Sequence, residues 1–276
     1  MNRFLLCKMP ERVTWGVIFS CWMPVSSFAQ DNSLATQSGH ELGISLSTYR
    51  YSEPGVMNIK SNKKTGIEYT GTHAFDSEWP NQYKGMFVRT ELRYATGNAD
   101  YDSVSTGSLS NVPDWNYEVR ILGGKDFALE GYTVSPYIGF GYRYLFSDLR
   151  GTTTTNAKGY RRESNYYSIP IGLTHKLNLS NQKQLFTTFE YDYLVRGLQK
   201  TMISDATPAF SDVSNPQRRG YGLRLSTMLR MDKWTVGPSL IYWQINASDT
   251  VTKNSLTYTE PKNNTTEIGL KANYLF

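Results

Sequence analysis

The sequence predicts an all-β chain: a single closed antiparallel transmembrane β-barrel of about ten strands, or eight if its weakest hairpin is lost. Three observations predict it. Apolar and polar residues alternate with period two along most of the chain. The connections between alternating segments are short and long in turn. Ionic side chains stand near mid-strand, on the face opposite the apolar one. Successive side chains of a strand point to opposite faces, so period two means two unlike faces.

The elements follow in chain order. The first two strands, about 40–51 and 65–75, are weakly patterned. In 85–96, Met86, Val88, Leu92 and Tyr94 oppose Arg89, Glu91 and Arg93. The segment 114–126 is weaker and carries Glu118 and Arg120 on its polar face. In 132–146, Val134, Pro136, Ile138, Phe140, Tyr142 and Tyr144 oppose Ser135, Gly139, Gly141 and Arg143. In 164–179, Tyr167, Ile169, Ile171, Leu173 and Leu177 oppose Ser168, Gly172, Thr174 and Lys176. In 184–197, Leu185, Phe189, Tyr191, Tyr193 and Val195 oppose Glu190, Asp192 and Arg196. In 219–231, Tyr221, Leu223, Leu225 and Leu229 oppose Arg224 and Arg230. The segments 233–246 and 264–276 close the set, the latter with Glu267 and Lys271 on its polar face.

The connections at 128–131, 180–183 and 231–233 are tight, and 76–84 is intermediate. Those at 52–64, 97–113, 147–163, 198–218 and 248–263 are longer and rich in Thr, Ser, Asn, Gly and Lys. Short turns on one rim and long polar loops on the other are the pattern of bacterial outer-membrane barrels. The two faces decide the solvent. A soluble barrel hides its apolar face inside. Here the polar face carries bulky charges at mid-strand, so the apolar face is the outer one. A chain in lipid must satisfy its backbone internally, so strands there must close.

Composition agrees. Tyr, Phe and Trp make 14% of the 276 residues, and Tyr alone supplies 20. Such rings concentrate where one side is apolar and the other wet. Mean hydropathy is −0.47, and no run approaches the roughly 18 apolar residues of a spanning helix. Residues 1–29 read as an export signal: Arg3, Lys8 and Arg12, then an apolar stretch over 13–23, then Ser27-Phe28-Ala29 at the cleavage point. The mature domain is then 30–276. Both cysteines, Cys7 and Cys21, fall in the signal, so thiol chemistry and a disulfide framework are not expected. Removing the signal lowers the formal charge from +5 to +3, because three basic groups and one acid are lost. That charge does not point to nucleic acid.

The last strand ends Ile268-Gly269-Leu270-Lys271-Ala272-Asn273-Tyr274-Leu275-Phe276, with Ile268, Leu270, Tyr274 and Phe276 at alternate positions. It resembles the C-terminal signature of bacterial outer-membrane proteins. Segments 135–144 and 166–173 are similar to strands of small opacity-type or porin-family barrels. The resemblance covers the mature chain in pattern and is specific to the class, so it carries over no substrate. It implies a cell outer-membrane location, a lipid and lipopolysaccharide surround, and assembly machinery that reads the last strand.

Chemistry is sparse. Barrel lipases use His and Ser two apart on one face, and omptin-type proteases place Asp and His pairs near the extracellular rim. His40, His73 and His175 have neither neighbour and lie toward the short-turn ends. Glu190 and Asp192 could divide acid and base roles. They share the interior with Arg89, Arg93, Arg120, Arg196, Arg224 and Arg230, so a salt-bridge network is the stronger expectation. No His or Cys cluster has metal-ligand spacing, and no cofactor is expected. Two basic segments supply Lys63, Lys64, Lys158, Arg161 and Arg162 as candidate contacts to anionic glycans or lipopolysaccharide.

The sequence therefore points to a non-enzymatic surface protein, adhesin-like or envelope-stabilising, with five long loops outside. The alternative is a small pore or transporter, in which the excess of interior Arg and Lys would favour anions. A lipid- or peptide-modifying enzyme is a third and weaker reading.

Overall fold

A computed structural model describes residues 34–75, 79–179, 183–253 and 255–276. The expected export signal, residues 1–29, lies outside the described residues. Ten strands close one barrel: β1 (Gly39–Glu53), β2 (Met57–Ala74), β3 (Met86–Ser103), β4 (Gly107–Lys125), β6 (Tyr132–Asp148), β7 (Arg161–Asn178), β8 (Lys183–Thr201), β10 (Gly220–Met231), β11 (Trp234–Ile245) and β14 (Asn263–Leu275). Short strands β5 (Phe127–Leu129) and β9 (Val213–Gln217) extend the edges of β6 and β8, and β12 (Val251–Lys253) pairs β13 (Leu256–Tyr258) in a loop. Each barrel strand pairs antiparallel with its neighbour in sequence, and β1 pairs β14 to close the ring.

Hydrogen-bonded partners, followed once round, lead from Tyr144 through Tyr117, Tyr94, Ile67, Ile44 and Ala272. From there Val236, Leu229, Leu185 and Leu177 lead back to Tyr132 on β6, twelve residues below the start (144 − 132). A slip of that size, at about 3.3 Å per residue over ten spacings of about 4.8 Å, tilts the strands by roughly 40°. The apolar outer residues of β6, from Val134 to Tyr144, then span roughly 25 Å along the axis, the height of a lipid-facing band.

The faces divide as the alternation predicts. Ile44, Leu46, Ile138, Phe140, Ile171, Phe189 and Leu270 are exposed on the outside, Phe140 at 75%. Arg93, Glu118, Arg120, Arg143, Glu190, Asp192 and Glu267 are buried inside. Tyr94, Trp115, Tyr117, Tyr142, Tyr144, Phe146 and Tyr167 form a continuous outer ring cluster toward the long-loop end. Tyr191, Tyr221 and Tyr242 continue it on β8, β10 and β11. On β14, β1 and β2 the same level holds Thr266, Thr48 and Thr65 instead.

Two expected loops are strand. Residues 52–64 and 97–113 fold as the upper parts of β1–β2 and β3–β4, which turn within 54–56 and 104–106. Five long loops thus become two tall hairpins and three loops. The reason is a phase inversion. Above the lipid the outer face meets water, so Arg50, Lys60 and Asn62 point out while Tyr49, Tyr51, Met57, Ile59, Ala99 and Val112 pack inside.

Candidate functional site

The barrel interior gathers the chain's buried ionic groups, and it is layered along the axis. At mid-height the charges form one network. Arg224, from β10, reaches Glu118 on β4 at 2.7 Å, Asp192 on β8 at 2.8 Å and Glu190 at 3.1 Å. Arg120, from β4, crosses to Glu190 with two hydrogen bonds of 2.6 and 3.0 Å and pairs Glu91 at 2.9 Å. Arg93 pairs Glu68 at 3.3 Å and is bonded to Glu267, which also accepts from Ser47 at 2.7 Å. Arg143 lies 3.1 Å from Glu118 and donates to Thr265, and Lys271 pairs Glu68 at 2.9 Å. Tyr137 donates its hydroxyl to Glu190 at 2.7 Å. Its ring fits because Gly172 faces it: a Cβ there would lie 2.3 Å from the ring.

Above this network the lumen is filled by carbon. Trp243 and Tyr166 stack with ring centres 6.1 Å apart, both fully buried, and Leu145, Leu194, Ile241 and Ile245 pack around them. Lys64 stands 3.9 Å over the Tyr49 ring and pairs with Asp114. Higher still, Arg162 joins Glu53, Glu260, Tyr51 and Met57. A gap of about 10 Å³, roughly one water, lies among Tyr49, Tyr51, Leu145, Arg162 and Gln199.

From the short-turn rim a cavity of about 440 Å³ reaches up to the network, whose Arg93, Glu118, Arg120, Glu190 and Arg224 form its inner wall. Glu41, Arg89, Glu91, Lys176, Arg230 and Lys271 line it, with Phe186 and Met228. Arg230 pairs Glu41 at 2.7 Å and lies over the Phe186 ring. Arg89 sits 3.8 Å from Glu91. The segment 34–38 crosses this mouth. Leu34 is buried, Thr36 bonds Asp126, and Lys176 donates to both Thr36 and Asp126. Burial pushes the Asp126 carboxyl up, but Lys176, Ser135 and the Thr36 amide outweigh it and hold it below the usual aspartate range.

The structure brings together Arg89, Glu91, Arg93, Glu118, Arg120, Glu190, Asp192, Arg224, Arg230, Glu267 and Lys271. It does not bring Arg196 with them. Between Tyr167 and Ser168 the β7–β8 register shifts, so Val195 is the extra residue of a bulge and Arg196 turns outward and exposed. Of the basic loop residues, Lys63 is exposed, whereas Lys64 and Arg162 are buried and paired inside. A bulge on β2 between Lys60 and Lys64 sends Asn62 and Lys63 out and Lys64 in. Arg161 pairs Asp205 at 2.8 Å, and Lys158 donates to Thr152 at 2.7 Å. Lys176, read on the polar face of its strand, is buried inside as expected, whereas sequence reasoning missed Glu41, Glu68 and the pair Lys64–Asp114. Glu41 and Glu68 lie on the two weakest strands, and Lys64 lies in a segment read as loop. The expected cation excess is absent: among the described residues, ten cations and eleven carboxylates take part in the interior ion pairs.

On the last strand Ile268, Leu270, Tyr274 and Phe276 all face outward, and the Phe276 amide bonds the His40 carbonyl at 2.9 Å. The three histidines sit on the outer face at the short-turn rim. His40 stacks on Tyr69 and Phe276, His73 meets Phe75 and Trp79, and His175 meets Tyr132.

No protein-family model matches the chain, and no curated protein matches it. Solved structures do. The outer membrane protease OmpT from Escherichia coli superposes with a TM-score of 0.59 at 11% identity, over 88% of this chain and 100% of that one. The β domain of the Bordetella autotransporter BrkA gives 0.43 at 10% identity, over 86% and 99%. A major outer membrane protein from Thermus thermophilus gives 0.38 at 11%, over 85% and 99%. The shared feature is the fold, that of a bacterial outer-membrane β-barrel.

Proposed function

We propose that this chain is a closed, non-catalytic barrel of the bacterial outer membrane that holds a surface-interaction face at its long-loop end. One observation carries the reading: ion pairs and rings cross the lumen. Arg120 links β4 to β8, Arg224 links β10 to β4, and Arg162 links β7 to β1, with Trp243 and Tyr166 filled in between. A solute passing through would have to break buried, charge-assisted bonds at each level. The balanced interior also gives an anion no preference. Above the lipid the rim presents two tall hairpins and three loops, with Val104 86% exposed at one tip.

Arg50, Lys60 and Lys63 stand together on the outer wall of β1 and β2, just above the apolar band. That level is where anionic phosphates of an outer-leaflet lipopolysaccharide would lie, and the cations there complement them. Export by a signal cleaved after Ala29, with the assembly machinery reading β14, completes the reading. A mature N-terminus at Gln30, found by sequencing the outer-membrane form, tests that step.

Planar bilayers test the main claim. The purified barrel should insert and stay silent; steady single-channel steps from the unaltered protein would sink it. A protease reading has the OmpT likeness behind it, but 11% identity conveys fold only. Each of the three histidines packs against rings at the short-turn rim, far from the loops.

A further inference from the structure

Two buried carboxyls at the outer mouth converge on a single cation. Glu53 ends β1, and Glu260 lies in the loop ahead of β14. Glu53 Oε1 accepts from Arg162 Nη2 at 2.6 Å and from the Tyr51 hydroxyl at 2.8 Å. Glu260 Oε1 accepts from the same Nη2 and lies 3.2 Å from the same hydroxyl. The two carboxylates are 3% and 7% exposed, and Arg162 is 8% exposed. The other guanidinium nitrogen meets the Met57 sulfur at 3.1 Å, and the guanidinium stacks over the Tyr51 ring.

The charges facing this point do not balance. Glu53 from β1 and Glu260 from the loop contribute two negative charges. Arg162 from β7 contributes one positive charge. Tyr51 of β1, Met57 of β2 and Tyr160 ahead of β7 are neutral. In a dry pocket, one proton shared between the carboxyls makes the set neutral. Losing it leaves an unpaired buried charge.

Glu260 is also a fastening. Its backbone closes the loop on Ser248 with bonds of 3.0 and 2.8 Å, and Asn215 ties the same loop to the 202–219 connection through the carbonyls of Asp249 and Tyr258. The Glu260 carboxyl connects this loop pair to β1 and β7.

We propose that Glu53, Glu260 and Arg162 form a proton-operated latch that holds the 246–262 loop against β1 over the outer mouth while the carboxyls share one proton and releases that side of it when the proton goes to solvent. The other side stays tied to β9 and its flank through Asn215, Pro216 and Arg218. The latch sits above the lipid band, just beneath the surface of the outer mouth. Burial pushes the Glu260 carboxyl up, Arg162 opposes this and Glu53 reinforces it, leaving Glu260 at about 7. The change therefore falls near neutral pH. The loop is held in mild acid and loosened in mild alkali.

The mature region has no cysteine, so nitroxides at Ser105→Cys and Ser255→Cys report the gap between the β3–β4 hairpin and the loop tip. The full barrel, folded in detergent micelles, should give one narrow distance distribution at pH 5.5 and a broad one at pH 8.5. Glu260→Gln and Glu53→Gln each remove one of the two competing charges, so each should stay narrow at both pH values. A labelled wild-type barrel that is equally narrow at pH 8.5 overturns the latch. So does a folded Glu260→Gln barrel that keeps the wild-type transition.

Discussion

Arg224 serves three buried carboxylates at once: Glu118, Asp192 and Glu190 all lie within 3.1 Å of its guanidinium. Replacing it by Met keeps the stem and removes the charge. Three acids then compete for Arg93, Arg120 and Arg143, and an uncompensated buried charge costs about 3–5 kcal/mol. Arg224→Met should unfold at clearly lower urea, read as loss of the fast-migrating band in unboiled gels. Arg196→Ala is the control on the same polar pattern. Its side chain is exposed on the outer wall, so its loss should stay within about 0.5 kcal/mol. These two arginines mark what alternation can and cannot reveal. Glu118, Arg120, Glu190 and Arg224 were legible because strict period two holds through the lipid band. Arg196 and Lys64 were not, because each follows a bulge, and one extra residue reverses the phase of everything beyond it.

At the scale of the element, the strands outside the two tall hairpins end within four residues of where the pattern stops, because the polarity contrast stops there too. The tall hairpins escaped notice for the same reason. Above the lipid, Tyr49, Tyr51 and Ile59 face in and Arg50 and Lys60 face out, the reverse of the pattern below. A reader expecting one phase sees noise. The β10–β11 hairpin shows a local choice that can be improved. Met231 pairs Trp234 across two residues, and Asp232 sits at φ 54°, a left-handed conformation that costs a side chain energy. Asp232→Gly should raise stability by about 0.5–1 kcal/mol, measured as a higher urea midpoint with unchanged slope. The strap at 34–38 is the other separable element. Asp126→Asn removes the charge that Lys176 and Thr36 share, so the strap should be cut faster by added protease while the barrel stays intact.

For the molecule as a whole, the two rims respond to pH in opposite senses. Asp126 holds its proton less tightly folded than unfolded, so its contribution is present above the ordinary value of 3.8 and fades as pH falls through the lower folded value. Glu260 holds its proton more tightly folded. Its contribution is complete below the ordinary 4.5 and lost as pH rises through about 7. Acid thus loosens the short-turn strap, and alkali loosens the outer latch. Neither opens a channel, because the ring layer lies between them. If that layer is what closes the lumen, removing it should matter more than removing either rim. Trp243→Ala with Tyr166→Ala deletes two fully buried rings directly above the charge network. Each deletion costs about 3–5 kcal/mol, so the variant is tested at low temperature in a barrel otherwise unaltered. It should conduct in small, weakly selective steps, since the charges lining the path are nearly balanced. A folded double variant as silent as the parent would move the barrier down to the ion pairs, where Arg120 and Arg224 cross the lumen.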